Sequence, residues 1–190
     1  MSISSQCLRD HFLISMPHLS DQNFSQTVTY ICDHSEYGAM GIVVNRPIGI
    51  SLAELCDHLG LHCPSIANQQ RDIFRGGPLR TDRGYVLHKA DNPMDWPSSD
   101  CIADDIYLST SIDAIEAAAE GYFHHNYLIA LGCAGWGPGQ LEQEMSDNVW
   151  LSCPANSDIL FSTPVRDRLQ AAASTLGVDL DLLTALSGHA

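Results

Sequence analysis

The chain has 190 residues, 45% apolar and 17% charged, which excludes a disordered polymer and lets one domain bury a core without disulfides or metal. Twenty-three acidic against nine basic side chains give a net charge of −14, with Lys89 the sole lysine, so a phosphate backbone is repelled. Direct nucleic-acid binding is therefore disfavoured, and a protein or a small molecule is the expected partner.

No apolar run approaches the roughly 20 residues of a membrane span. The polar N-terminus lacks a signal pattern, and seven cysteines occur without a C-x-x-C spacing. Free thiols in a reducing cytoplasm are the expectation, with no membrane, metal or cofactor.

Phe12–Met16 predicts a first strand, stopped by Pro17. Thr27–Cys32 and Ala39–Asn45 flank the turn residues Ser35–Gly38 and read as a hairpin. Met40, Ile42, Val43 and Val44 make the second of these apolar on both faces, which predicts a central strand. Pro47 ends it by removing a ladder donor. Ser51 and Glu54 form a capping box for a helix over Ser51–Leu59, and Gly60 stops it. Residues 62–70 are a polar connection without an assigned form.

Ile73–Arg75 reads as a short strand running into Gly76-Gly77-Pro78, with Gly84–His88 as its hairpin partner. Residues 90–100 read as a surface loop and Ile106–Leu108 as a strand. Thr110 and Asp113 open a helix that Gly121 closes. Tyr127–Leu131 is a buried strand, Gly132–Gly139 a glycine-rich turn, Gln140–Met145 a short helix and Val149–Ser152 a strand. Thr163 and Pro164 start a helix running to Leu176, and a short helix near Leu180–Leu186 follows. Several connections are too short for a helical crossover, so the sheet is expected to be mixed and largely antiparallel in an α+β fold.

Each chemical constellation has a plainer reading beside it. Gly132–Gly139 lies between a strand and a helix, where phosphate-cradling loops occur. Pro138 has no amide to donate, Glu142 and Glu144 place negative charge in the helix, and no Walker lysine follows. A tight turn with Trp136 packed over it is preferred. Arg46, Arg71, Arg75, Arg80, Arg83 and Lys89 gather six of the nine cations between residues 46 and 89. They could clamp an anion, but surface ion pairs are the commoner use.

His58 and His62, flanked by Cys56 and Cys63, have an i, i+4 spacing that zinc could use, but Gly60 breaks the helix between them. Cys133 reads as a buried, inert thiol, and no G-x-S-x-G or S-x-x-K nucleophile motif is present. Residues 51–59 and 65–71 make a poor helix-turn-helix, because the second piece carries one cation, Arg71.

The segments His11–Pro17, Tyr30–His34, Gly38–Asn45, Gly76–Leu79, Asp82–Gly84 and Leu87-His88 together resemble the AlgH-like (YqgE-like) family of bacterial proteins. Leu131-Gly132, Trp136, Gly139–Glu144, Asp147-Asn148, Trp150-Leu151, Ile159–Phe161, Gly177–Asp179 and Gly188–Ala190 extend the resemblance in order along nearly the whole chain. It implies one domain over 1–190, with a bifurcated sheet curled into a pseudo-barrel and flanked by short helices. The family's name comes from a genetic link to alginate regulation, and a transcriptional-regulator label travels with it. The resemblance carries no catalytic residues, and a fold alone supplies no function.

The first expectation is a regulatory or binding module for a protein or small ligand. Its lining is drawn from Asn45, Arg46, Arg75, Gly76, Gly77, His88, Trp136 and Gln140, all at or near strand ends. An alternative is an enzyme acting on a small anionic metabolite, with Arg46 or Arg75 clamping charge beside His88 as acid-base group. Direct DNA binding is the third.

Overall fold

The computed structural model describes residues 7–90, 99–180 and 182. In chain order its strands are β1 (His11–Ser15), β2 (Val28–Ser35), β3 (Gly38–Val43), β4 (Pro47–Ser51) and β5 (Asp72–Arg75). They continue with β6 (Leu79–Lys89), β7 (Ser99–Ala103), β8 (Ile106–Ser109), β9 (Tyr127–Trp136) and β10 (Trp150–Pro154). The helices are α1 (Leu52–Leu59), α2 (Ile66–Gln69), α3 (Ile112–Glu120), α4 (Gln140–Ser146), α5 (Ser157–Phe161) and α6 (Arg168–Ser174). A 3-10 turn, Val165–Asp167, leads into α6.

The strands form one mixed sheet in the order β10-β1-β2-β3-β9-β6-β8-β7. Every neighbouring pair on that path is antiparallel. β3 sits between β2 and β9, as its two apolar faces require. The sheet splits along β9. Ala134–Trp136 pair with β3, Ile129–Leu131 pair in parallel with β5, and β6 covers the opposite edge. The sheet curls into a half-barrel, across which Arg9 reaches from ahead of β1 to donate Nε–H to the Ile102 carbonyl of β7 at 3.0 Å.

Two expectations change at this split. β5 and β6 are not a hairpin, because β9 lies between them. Residues 132–136 are not a turn but the second half of β9. Both follow from one close crossing. Gly77 has φ +154°, and a Cβ there would fall on the Cys133 carbonyl group; Gly132 has φ +78°, and its Cβ would meet the Gly77 carbonyl oxygen at 2.6 Å. The glycines permit two backbones to touch, which is a strand's use of glycine as much as a turn's.

Other boundaries differ locally. Pro47 begins β4, which among the described residues is an edge strand paired with β5 alone, where a missing N–H is tolerated. The polar connection holds the short helix α2, too small to act as a recognition helix. Ser99 and Asp100, at the end of the expected loop, belong to β7; the rest of that loop from 91 lies outside the described residues. Ser111, not Thr110, occupies the N-cap position of α3, without a side-chain capping bond, and the Thr110 hydroxyl accepts from Arg83. Asn156 caps the unforeseen α5 through the amides of Asp158 and Ile159. The Thr163 hydroxyl donates to the Asp158 carbonyl and caps nothing, so the last long helix begins at Arg168. The helix expected near 180–186 falls almost wholly outside the described residues.

Strand alternation divides the core. Tyr30, Ile42, Phe74, Tyr85, Leu87, Leu128 and Ala130 line the concave face, where Leu160 and Phe161 of α5 and Ala172 and Ala173 of α6 cover part of it. On the outer face, Leu52 and Cys56 of α1 and Ala114 and Ala118 of α3 pack on Ile73, Val86, Tyr127 and Ile129. A third cluster packs Leu141 of α4 on Leu13, Ile31, Trp136 and Trp150. Each fully buried aliphatic side chain contributes about 1.5–3 kcal/mol. Among the described residues, no helix is long and apolar enough to cross a membrane.

Candidate functional site

The eight residues singled out in the sequence are distributed over several parts of the fold. Asn45 ties β2 to the turn before it: its Oδ1 accepts from the Val28 amide at 2.9 Å, and its Nδ2 donates to the Gln26 carbonyl at 3.0 Å. Arg46 braces the 21–26 loop by donating to the carbonyls of Gln22 (2.6 Å), Asn23 (2.8 Å) and Ser25 (2.6 Å). Partial burial, then the nearby charge of Arg75, lowers its pKa. Asn45, Arg46 and Arg75 do meet, in an open cleft with Pro47 and Ile48. Gly76 and Gly77 serve the buried crossing over β9.

His88 lies in the outer core, fully buried, stacked on Phe123 at 4.3 Å between ring centroids, with Nε2 2.7 Å from the Ser109 hydroxyl. Burial pushes its pKa down to about 4. The cleft that holds Arg46 and Arg75 does not include it.

Trp136 and Gln140 belong to a third place, centred on one carboxylate. Glu144 Oε2 accepts from the indoles of Trp136 (2.9 Å) and Trp150 (2.8 Å), and Oε1 accepts from Gln140 Nε2 (2.9 Å). Gln140 Oε1 in turn accepts from the Gly137 amide at 3.0 Å. Phe24 packs against both indoles. The four groups bond to one another and fasten α4 to the sheet, which is a structural use.

A roomier cleft, about 580 Å³, opens between the β2–β3 and β6–β8–β7 walls of the half-barrel. Its floor is Cys32, Met40, Ile102 and Leu108, continuous with the concave core. Arg9, Arg80 and Arg83 stand around it with Tyr85 and Thr110, against two acids, Asp33 and Asp100.

Arg9 is partly engaged, through the carbonyls of Cys101 and Ile102 and a 3.8 Å pair with the exposed Asp33. Arg83 donates to Thr110 Oγ1 at 3.0 Å and lies over the Tyr85 ring at 5.9 Å. Arg80 is exposed, held at φ +48°, and its side chain has no hydrogen bond or ion pair among the described residues. Burial, followed by the neighbouring Cys133, raises the Tyr85 phenol to about 12, so it stays protonated as a donor. Burial likewise drives the Cys32 thiol well upward, which leaves it a poor nucleophile.

Arg80 and Arg83 belong to the cation cluster visible in the sequence, whereas Arg9, Tyr85 and Thr110 carry no site signal there. No local spacing links positions 9, 83 and 110; only the curl of the sheet does. Cys56 is buried and His58 Nδ1 lies 2.8 Å from the Glu54 carbonyl in its own helix, which is not metal-site geometry. No group of three or more metal-ligating side chains occurs among the described residues.

Fold and clefts together define a curled α+β half-barrel with an amphipathic mouth, rimmed by arginines in an otherwise acidic body. The AlgH-like family model matches residues 12–181, and the chain belongs to that family. A UPF0301 protein of Hahella chejuensis is 48% identical over 191 residues, covering 100% of both chains. The solution structure of the AlgH protein from Pseudomonas aeruginosa, 49% identical, superposes with a TM-score of 0.77 over 100% of both chains. A crystal structure from Corynebacterium diphtheriae shares the fold at 20% identity, with a TM-score of 0.74 over 97% of this chain and 94% of the other.

Proposed function

We propose that this chain is a bacterial cytosolic binding module that takes a small organic anion into the mouth of the half-barrel. The observation that carries the reading is the pairing of an apolar floor with arginines on one rim. Apolar walls with a few convergent polar groups are the usual build of a ligand site. Arg80 and Arg83 supply guanidinium donors for a carboxylate or phosphate, and the floor receives an apolar body. Seven unpaired thiols support the cytosolic assignment.

A regulatory role follows if ligand occupancy alters the rim that a partner protein meets, in keeping with the regulator label of the family. Direct DNA binding has little support from a net charge of −14. The enzyme reading asks for His88 beside Arg46 or Arg75 in one cleft, and the burial of His88 gives it no footing.

The test is calorimetric titration with benzoate and phenyl phosphate at constant ionic strength. Binding of either probe, weakened about tenfold in Arg83→Ala and again in Arg80→Ala, is the expected outcome. Equal affinity in all three proteins, or no heat at millimolar probe, contradicts it.

A further inference from the structure

A second basic recess lies apart from the mouth, between the α5–α6 connection and the β5 and β9 strands. Its volume is about 250 Å³. Two arginines face it. Arg168, only 5% exposed, donates Nε–H to the Thr163 carbonyl at 3.1 Å and Nη1–H to the Val44 carbonyl at 2.5 Å. Arg71 donates Nη2–H to the Tyr127 carbonyl at 2.8 Å.

Each guanidinium is held over an aromatic face, Arg168 over Phe74 at 5.3 Å and Arg71 over Tyr127 at 4.8 Å. Stacking fixes the planes of the two forks, and the donors the backbone has not taken, Nη2 of Arg168 and Nε and Nη1 of Arg71, are left for a ligand. Among the described residues, Arg168 Nη2 makes no hydrogen bond and neither arginine has a carboxylate within 4.0 Å.

This is an unusual use of charge. A buried cation is ordinarily paired with an anion. In a chain with 23 acidic side chains, partners are abundant, yet only Asp72 lines this recess, and it is exposed. The two arginines repel one another, and Asp72 offsets only the smaller part of that repulsion. Desolvation, then the charge of Arg71, brings the Arg168 pKa down to about 10. The polar wall is completed by Ser162 and Thr163.

We propose that Arg71 and Arg168 form a small oxyanion site, separate from the mouth, that takes a carboxylate or phosphate group as the missing counter-charge. The ligand group is small and polar, because the recess offers guanidinium edges and hydroxyls around two already stacked rings. Its occupancy would clamp the α5–α6 connection to β5 and β9, joining the lid over the concave core to the split of the sheet.

The experiment is a titration of the full chain with sodium phosphate and, separately, sodium acetate, at ionic strength held constant with chloride. It is followed by nuclear magnetic resonance of backbone amides and arginine Nε–H groups. The expected result is saturable movement of the Arg71 and Arg168 Nε resonances and of the Thr163 amide, with those of Arg9 and Arg83 as the separate readout of the mouth. Phosphate alone, or acetate alone, moving them identifies the group preferred.

Arg71→Gln, which keeps a donor but removes the charge, is expected to weaken the effect about tenfold. Arg168 Nε in the wild type supplies the same reading without any substitution. Chloride-like behaviour of both anions at the Arg168 resonance, or an undiminished response in Arg71→Gln, overturns the site. A null result at Arg9 and Arg83 alone would count against the mouth and leave this recess standing.

Discussion

Arg46 and Arg80 stand on the same acidic protein, each beside a strand end, and they are used in opposite ways. Arg46 gives its guanidinium to three backbone carbonyls of one loop. Arg80 gives its own to nothing among the described residues and stands beside an apolar hollow. A guanidinium has five N–H donors, so its availability depends on how many the backbone has already taken. The difference between the two cleft regions is therefore one of saturation, not of charge.

The largest effect is expected at the crossing that places both regions. Gly77→Ala puts a Cβ on the Cys133 carbonyl at φ +154° and is expected to lower stability by about 4 kcal/mol or to prevent folding. Urea denaturation checks this, and a variant within about 0.5 kcal/mol of the wild type would refute the close crossing.

Arg46→Ala comes next. Losing charged hydrogen bonds to three carbonyls is expected to cost about 2–4 kcal/mol while leaving affinity at the mouth unchanged. A stable Arg46→Ala variant with lost ligand binding would exchange the roles of the two regions.

His88 gives a pH-dependent effect of the same order. Its folded pKa of about 4 lies below the ordinary 6.5, so between these values the unfolded chain holds a proton that the folded chain does not. Stability is fully present above pH 6.5 and falls as the pH drops toward 4, by at most about 3 kcal/mol from this group. His88→Gln, which keeps a donor or acceptor toward Ser109, is expected to flatten that slope in urea melts at pH 7, 6 and 5. An unchanged slope would mean that His88 is not buried as described.

The smallest effect belongs to the mouth. Arg83→Ala removes one bond to Thr110 and a stack on Tyr85, so stability is expected to change by about 0.5 kcal/mol or less. A loss of several kcal/mol would class Arg83 with Arg46 as a structural brace.

What could be read from the chain itself followed the range of each interaction. The Ser51–Glu54 capping box and the left-handed Gly60 stop act within one helix, and both are present. The apolar faces of β3 correctly signalled a central strand. The α+β class and the mixed sheet followed from connection lengths. The glycines of Gly132–Gly139 look like a turn in the sequence because the partner of Gly132, the Gly76-Gly77 segment, lies more than fifty residues away. The same distance hid β9 between β5 and β6.

Of the expected site, Asn45, Arg46 and Arg75 share a cleft, while Gly76, Gly77, His88, Trp136 and Gln140 serve the crossing, the outer core and the Glu144 clamp. Strand-end glycines, tryptophans and amides mark places where backbones meet, and here most of those meetings are with the protein itself. Arg168 escaped notice because it sits in what read as an ordinary helix, and burial is invisible at that level.

The mouth is tested most directly by mapping amide shifts on the full chain during titration with phenyl phosphate at constant ionic strength. Binding at the mouth predicts saturable shifts over Arg80–Tyr85, at Ile102 and at Thr110, with Asn45 and Arg46 unmoved. Shifts centred on Asn45, Arg46 and Arg75 while Arg83 and Thr110 stay still would contradict it.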